Sequence, residues 1–449
     1  MDIQATGCRA ARSPCAGTRV AGSYGAGLAV VATACALSAL PRTSLAQSLE
    51  SDVTPESAHL VRDPSHYAIP DAAAGWLERL RFDDHKDRFS IKPGLAILTD
   101  YTGFRQDAAS LAQVGRQDNQ FEVRSFRVSI RGHFELFRRW DYNVGYEYKG
   151  FNQNPGDPDW NASDFYVTTL LGPQIGTLKI GMMKELFAYE MVGDAANLPQ
   201  PERWLSPFFQ NRNVGVTLSN TVLGQRGTWA IGWWNDWWQK GDSWSTSGND
   251  FGTRVTGLPI WSDNGATYLH LAASARYYGA DNGQLRYRGR PASNVADYYV
   301  DTGNIPGDHA WHGGLEALLN VRGYSILAEY VRASLDTYDR TDPVFDGYYV
   351  TASWVVTGEH RPYDRKAGYA RRVLPQHPWG AVELIARFGR VDATDKGIDG
   401  GEMRGWWAGV NWWVTRHAKA SVTYGDIDLN RGGTVGNTKT LLTRLQWIY

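Results

Sequence analysis

Trp140-Asp141-Tyr142-Asn143-Val144-Gly145-Tyr146-Glu147-Tyr148 alternates large apolar and small or polar residues along its whole length. Strand side chains point to opposite faces with a period of two. Trp140, Tyr142, Val144, Tyr146 and Tyr148 therefore share one face, and Asp141, Asn143, Gly145 and Glu147 the other. A helix would mix the two sets. The ladder recurs upstream, where Phe126, Val128, Ile130 and Phe134 alternate with Arg127, Ser129, Arg131 and His133. It recurs downstream, where Ala418, Ala420, Val422 and Tyr424 alternate with Lys419, Ser421, Thr423 and Gly425, and again at Thr443, Leu445, Trp447 and Tyr449. A soluble sheet with one wet face would also alternate. Aromatics at strand ends and small apolar residues mid-strand favour a membrane barrel.

Sixteen such segments follow from residue 89: 89–98, 122–133, 140–149, 163–170, 176–183, 212–219, 228–235, 250–257, 266–276, 311–319, 323–332, 346–357, 379–390, 404–414, 418–426 and 438–449. Their connections alternate in length. Long ones fall at 99–121, 150–162, 184–211, 236–249, 277–310, 333–345, 391–403 and 427–437. The others are short, except 358–378. Long loops at one end and short turns at the other define an up-and-down outer-membrane barrel. The expected fold class is all-β: a sixteen-stranded antiparallel transmembrane β-barrel over 89–449, with both termini on the short-turn, periplasmic side.

Composition is compatible with this reading. The mean hydropathy is −0.41, and no run after residue 46 approaches the ~20 apolar residues of a spanning helix. Barrel strands need only ~9–11 residues, half of them facing water. The chain carries 19 Trp and 23 Tyr among its 449 residues, side chains suited to a membrane–water interface.

At the start, Arg9, Arg12 and Arg19 precede a small apolar run from Ala26 to Leu40, and Ser44-Leu45-Ala46 is a small-x-small cleavage site. Residues 1–46 are expected to be a signal peptide. Residues 47–88, with a short helix over Ala72–Phe82 that carries Trp76, Leu77 and Leu80 on one face, are expected to be a periplasmic extension. All three cysteines, Cys8, Cys15 and Cys35, lie in the leader, so the mature protein would have no disulfide or thiol chemistry. Cleavage leaves 42 basic against 46 acidic residues. No bulk positive charge points to a nucleic-acid partner, so any anion preference depends on where the basic residues sit.

The strands also resemble a known family. Arg124-Ser125-Phe126-Arg127-Val128-Ser129-Ile130-Arg131-Gly132, with Trp140-Asp141-Tyr142 and Tyr146-Glu147-Tyr148, is similar to the early strand pair of the phosphate-selective porins of the O and P type. Leu178-Lys179-Ile180-Gly181-Met182-Met183-Lys184-Glu185-Leu186-Phe187 resembles that family's "vGqfKepf" segment, followed by Glu202-Arg203 and Arg212-Asn213-Val214-Gly215-Val216. Gly347-Tyr348-Tyr349-Val350, Thr357-Gly358-Glu359 with Tyr363, Gly380-Ala381-Val382-Glu383-Leu384 with Arg387, Gly409-Val410-Asn411-Trp412-Trp413 and Arg444-Leu445-Gln446 complete the series in order. The resemblance implies a homotrimeric outer-membrane porin passing phosphate or other small anions. It also implies that the loop at 184–211 folds into the lumen as a constriction.

Anion passage requires basic side chains along the wall. Parity puts Arg127, Arg131, Arg276, Arg387, Lys419 and Arg444 on the lumenal face, with Arg254 beside them; Lys184, Arg203 and Arg212 lie in or next to the constriction loop. Arginine offers a planar fork to phosphate and lysine a point charge. Asp141, Glu147, Glu316, Glu329 and Glu383 share the lumenal face, so cross-strand pairing is the competing role for each arginine. A general or carboxylate/sugar porin, and from another class a barrel enzyme or an adhesin using Arg286, Arg288 and Arg290 of loop 277–310, are the alternatives. No H-E-x-x-H, G-x-S-x-G or P-loop motif occurs, and no cofactor or metal is expected. His309 and His312 read as solvated. Asp392, Asp395, Asp399 and Glu402 read as an external loop facing lipopolysaccharide.

Overall fold

The computed structural model describes residues 72–148, 159–210, 212–235, 237 and 247–449. The expected leader, the first part of the 47–88 extension and most of the loops at 150–162 and 236–249 lie outside the described residues. The strands are β1 (Ser90–Gln106), β2 (Gln120–Leu136), β3 (Arg138–Tyr148), β4 (Trp160–Gly172), β5 (Gly176–Lys184), β6 (Arg212–Val222), β7 (Gly227–Asn235) and β8 (Asn249–Ser262). They continue as β9 (Thr267–Gly279), β10 (Ile305–Val321), β11 (Tyr324–Thr337), β12 (Val344–Val355), β13 (Ala381–Asp395), β14 (Ile398–Trp413), β15 (Ala418–Arg431) and β16 (Thr434–Ile448). Each pairs antiparallel with the next. β1 closes on β16, from Ala96 opposite Ile448 to Gln106 opposite Thr438. Closure removes the free edges that an open sheet would expose.

Alternation sorts side chains as expected. On β3, Glu147 is buried inside while Val144 and Tyr146 are exposed outside. Phe165, Leu315, Ile326 and Leu445 join them in an outer apolar belt, which a soluble protein would not present to water. Aromatic pairs such as Tyr324 and Trp354, stacked at 5.5 Å, stand at its margin.

Strands run further than expected at the long-loop end. The loops expected at 391–403 and 427–437 are hairpins, closed by Lys396-Gly397 and Gly432-Gly433. All four turn residues have positive φ, as two-residue hairpin turns require. The binary pattern inverts there. Val391, Met403, Ile427 and Leu429 are buried inward, while Arg404, Asp426 and Asp428 face out. Reading apolar as outward ends each strand too early. Asp392 and Glu402 consequently bind Arg390, at 2.6 and 2.9 Å, rather than lying in an open loop.

Much of the lumen is filled. Residues 185–210 enter it with helix α3 (Tyr189–Val192); the earlier helices are α1 (Ala72–Glu78) and α2 (Ala108–Val114). Phe187, Met191, Trp204, Leu205 and Phe208 of this inserted loop are buried in the lumenal core. Full burial of a side chain such as Leu205 or Phe208 contributes about 1.5–3 kcal/mol. The wall makes room with glycine: a Cβ on Gly389 would lie 2.5 Å from Trp204 Nε1, and one on Gly347 2.8 Å from Leu205. From the opposite end, the long turn at 356–380 also folds inward. Its Arg361 pairs with Glu383 and donates to Asn197 O at 2.7 Å.

Residues 280–304 cover the long-loop mouth instead of projecting from it. Tyr287, Tyr299 and Val300 are buried, and Gln117 and Asp297 bond reciprocally at 3.0 and 2.9 Å. Arg286 pairs with Asp301 at 2.6 Å, while Arg288 and Arg290 stack on Tyr298. His312 is buried and bonded to Tyr287 at 3.0 Å, not solvated. At the other end α1 is shorter than expected and buries Leu77 alone, with Trp76 and Leu80 exposed.

Candidate functional site

Between the inserted loop and the wall formed by β1–β6 and β16 is a small cavity of about 40 Å³, which we call the passage for the route it would mark. Arg124, Arg127, Lys184, Arg203, Arg212 and Arg444 line it, against the carboxylates of Glu147 and Asp194. Toward the short-turn end it faces a wider vestibule of about 640 Å³, lined among others by Lys92, Arg131, Arg139, Lys179 and Tyr166.

The predicted cations divide by environment. Lys184 ends β5 and donates to Gly193 O at 2.8 Å, with no ion-pair partner among the described residues. Arg203 donates to Glu190 O at 2.6 Å. Arg127 binds Glu147 at 2.9 Å, and Arg212 binds Asp164 at 2.9 Å. Arg444 also reaches the passage, but it is spent on Asp100 at 2.7 Å and on Glu202. Arg131 lies in the vestibule and donates to Tyr449 O at 3.2 Å.

Arg254, Arg276, Arg387 and Lys419 are lumenal as parity requires, yet they lie away from the passage. Arg254 holds Glu316 and, at 2.9 Å, Gly368 O of the inward turn. Arg276 holds Glu185 and Asp250, at 2.6 and 2.9 Å. Arg387 holds Glu190, and Lys419 donates to Leu198 O at 3.3 Å over the Trp413 ring. These four clamp the inserted loop and turn in place.

Burial alone would raise the Glu202 carboxyl, but Arg124 and Arg444 together outweigh it and hold it at about 2. Asp194 behaves likewise: burial opposes its charge, and Lys184 and Arg127 drive it well below the ordinary carboxylate range. Burial lowers the Arg203 guanidinium to about 10. Asp194 and Glu202 are therefore ionised at neutral pH, and the cavity carries charges of both signs.

Period-two reading missed Arg124, because a bulge opposite Leu98 and Thr99 turns both Arg124 and Ser125 inward. It also passed over Lys92 and Lys179, which parity could have placed in the vestibule, and Asp194, which has no periodic signal.

A closed sixteen-stranded barrel with an outer apolar belt and a loop narrowing its lumen is an outer-membrane porin. The family model described as Phosphate-selective porin O and P matches residues 93–449, and the chain belongs to that family. Porin O of Pseudomonas aeruginosa is 24% identical over 407 residues, 80% of this chain and 89% of that protein. An uncharacterized protein of Caulobacter vibrioides is 30% identical over 173 residues, 36% of this chain and only 35% of that relative's length. Among solved structures, the anion-selective porin from Comamonas acidovorans superposes with a TM-score of 0.50 at 12% identity, covering 80% of this chain and all of that one. The outer membrane channel DcaP of Acinetobacter baumannii gives 0.51 at 8% identity, covering 82% and 99%. At such identities these two share the fold.

Proposed function

We propose that the protein passes small anions, phosphate foremost, by passive diffusion through the outer membrane. The carrying observation is the charge of the cavity beside the inserted loop, where six cationic side chains and two carboxylates line one space of about 40 Å³. An ion there exchanges water for fixed charges in a low dielectric, where each cation acts strongly. Lys184 is the best-placed contact, since its ammonium is hydrogen-bonded only to a carbonyl and forms no ion pair among the described residues. Lys92, Arg131 and Lys179 would gather or release anions in the vestibule. Passage makes and breaks no covalent bond.

The same reading places the short-turn end in the periplasm, with residues 1–46 as leader and 47–88 as an extension. It makes the assembly a homotrimer, as the family resemblance implies. The outward Arg332 and Arg404 beside Asp346 and Glu402 suit the phosphate and divalent-ion zone of lipopolysaccharide. Planar-bilayer recordings under a salt gradient, with phosphate titrated into chloride, test the reading. An anion-favouring reversal potential with block of chloride current by phosphate is expected. A cation-preferring or unselective pore indifferent to phosphate leaves a general porin.

A further inference from the structure

Ser90 on β1 and His133 on β2 face each other across the vestibule wall. Ser90 Oγ lies 2.7 Å from His133 Nδ1. The other ring nitrogen, Nε2, lies 2.9 Å from the carbonyl of Asp87 and 3.2 Å from its carboxylate. Both are acceptors, so Nε2 carries the ring proton. Nδ1 is then an acceptor, and the Ser90 hydroxyl donates to it. This is the tautomer a serine nucleophile needs: base toward the hydroxyl, N–H toward an orienting acid.

The surroundings are specific. Asp87 adopts φ of 52°, a left-handed backbone that brings both its oxygens to the imidazole. Gly132 permits the close approach, since a Cβ there would meet the Ser90 carbonyl oxygen at 1.9 Å. Ser90 and His133 are only 7% and 5% exposed, yet both line the 640 Å³ vestibule. One step along the same face, Lys92 sits directly opposite Arg131. Arg139 Nη2 also donates to Nδ1 at 3.0 Å, and its Nη1 reaches Asp87 at 3.2 Å. That puts a cationic donor beside the reacting pair and makes it compete with Ser90 for the same lone pair.

We propose that Ser90, His133 and Asp87 form a hydrolytic centre in the vestibule, acting on small carboxylic esters that carry an anionic group. Ser90 Oγ attacks the ester carbonyl as its proton passes to Nδ1. The carbonyl–alkoxy bond breaks, and the alcohol leaves with that proton. Water then attacks the acyl-serine and gives one proton to Nδ1, Oγ takes that proton back as its bond to the acyl carbon breaks, and the acid departs, losing its remaining proton to solvent. Lys92 and Arg131 hold the substrate's anionic group, and Arg139 Nη2, freed from Nδ1 once that nitrogen takes the proton, supplies the donor for the developing oxyanion.

The test uses the full-length protein, folded in detergent, with a fluorophosphonate probe and two esters: mono-p-nitrophenyl succinate (anionic) and p-nitrophenyl acetate (neutral). A covalent adduct located on Ser90 by mass spectrometry is expected, absent from Ser90→Ala. His133→Gln should lower the rate of labelling and turnover by about 10²–10⁴-fold, the usual share of a general base. Lys92→Ala should raise KM for the anionic ester severalfold more than for the neutral one. Heat-modifiable gel mobility reports whether each variant is folded, and Ser90→Thr keeps a hydroxyl if the alanine variant is not. Folded wild-type protein that gives no Ser90 adduct, and hydrolyses both esters no faster than Ser90→Ala, overturns the proposal and leaves the pair a strand-to-strand hydrogen bond.

Discussion

Lys184 and Arg444 both reach the passage, but they answer to different partners. Arg444 is fixed between two carboxylates, so an arriving anion would find its charge already cancelled. Lys184 hydrogen-bonds only a carbonyl, and the Asp194 carboxylate beside it is a countercharge without an ion-pair contact to it. A charge-assisted hydrogen bond of this kind contributes about 1.5–3 kcal/mol, or about 10–150-fold in affinity. Lys184→Ala is therefore expected to raise the phosphate concentration that half-blocks chloride current by that factor, read in single-channel recordings. An unchanged midpoint would move the anion contact elsewhere. Glu202 serves structure, joining the inserted loop to Arg124 and Arg444. Its carboxyl is depressed from 4.5 to about 2. A depressed acid contributes stability that is fully present above its unfolded value and lost as pH falls through its folded one. Wild type should unfold at a higher temperature than Glu202→Gln at pH 7, and the gap should close between about pH 4.5 and 2. Heat-modifiability across that range checks it, and a gap independent of pH would deny Glu202 its charged role.

The inserted loop is held by wall residues that are small for a reason. Gly389 lies against the Trp204 indole, and a side chain there has no room. Gly389→Val is expected to displace Trp204 and loosen the loop, raising single-channel conductance severalfold and weakening anion preference. Retention of the native conductance would mean that the loop is held by its ion pairs alone. All sixteen strands were legible, because alternation is a backbone property that any sequence on a barrel must obey. The hairpins at 396–397 and 432–433 were not, because the apolar face switches from lipid to core where β13–β16 leave the membrane. Lumenal parity was legible for Arg254, Arg276, Arg387 and Lys419; their clamping role was not. Which inward cation meets an anion depends on where Glu185, Glu190 and Glu316 end up, and those contacts span long sequence separations. The bulge at Arg124 shifts parity locally, and no periodic signal can announce it.

At the scale of the whole molecule, the lumen is divided. On one side, the inserted loop, the covering residues 280–304 and the inward turn share a hydrophobic core with β9–β15. On the other, along β1–β6, charged side chains line the open vestibule and the small cavity beside the inserted loop. The division explains how a chain with more acids than bases can present a basic route. Glu316, Glu329 and Glu383 sit on the filled side, where buried partners neutralise them or bond to them. The turn at 356–380 guards that side through Arg361 on Glu383 and through Gly368 O, which Arg254 grips. Replacing residues 360–377 by a short glycine-serine turn would remove Arg361 and uncover Glu383. A second, acid-lined route would open beside the first. Conductance is expected to rise while the reversal potential moves toward cation selectivity, although Lys184 is untouched. Adding Glu383→Gln to the shortened turn should restore part of the anion preference. If the shortened variant conducts more but stays as anion-selective as wild type, the selectivity resides wholly in the β1–β6 passage and the buried carboxylates play no part in it.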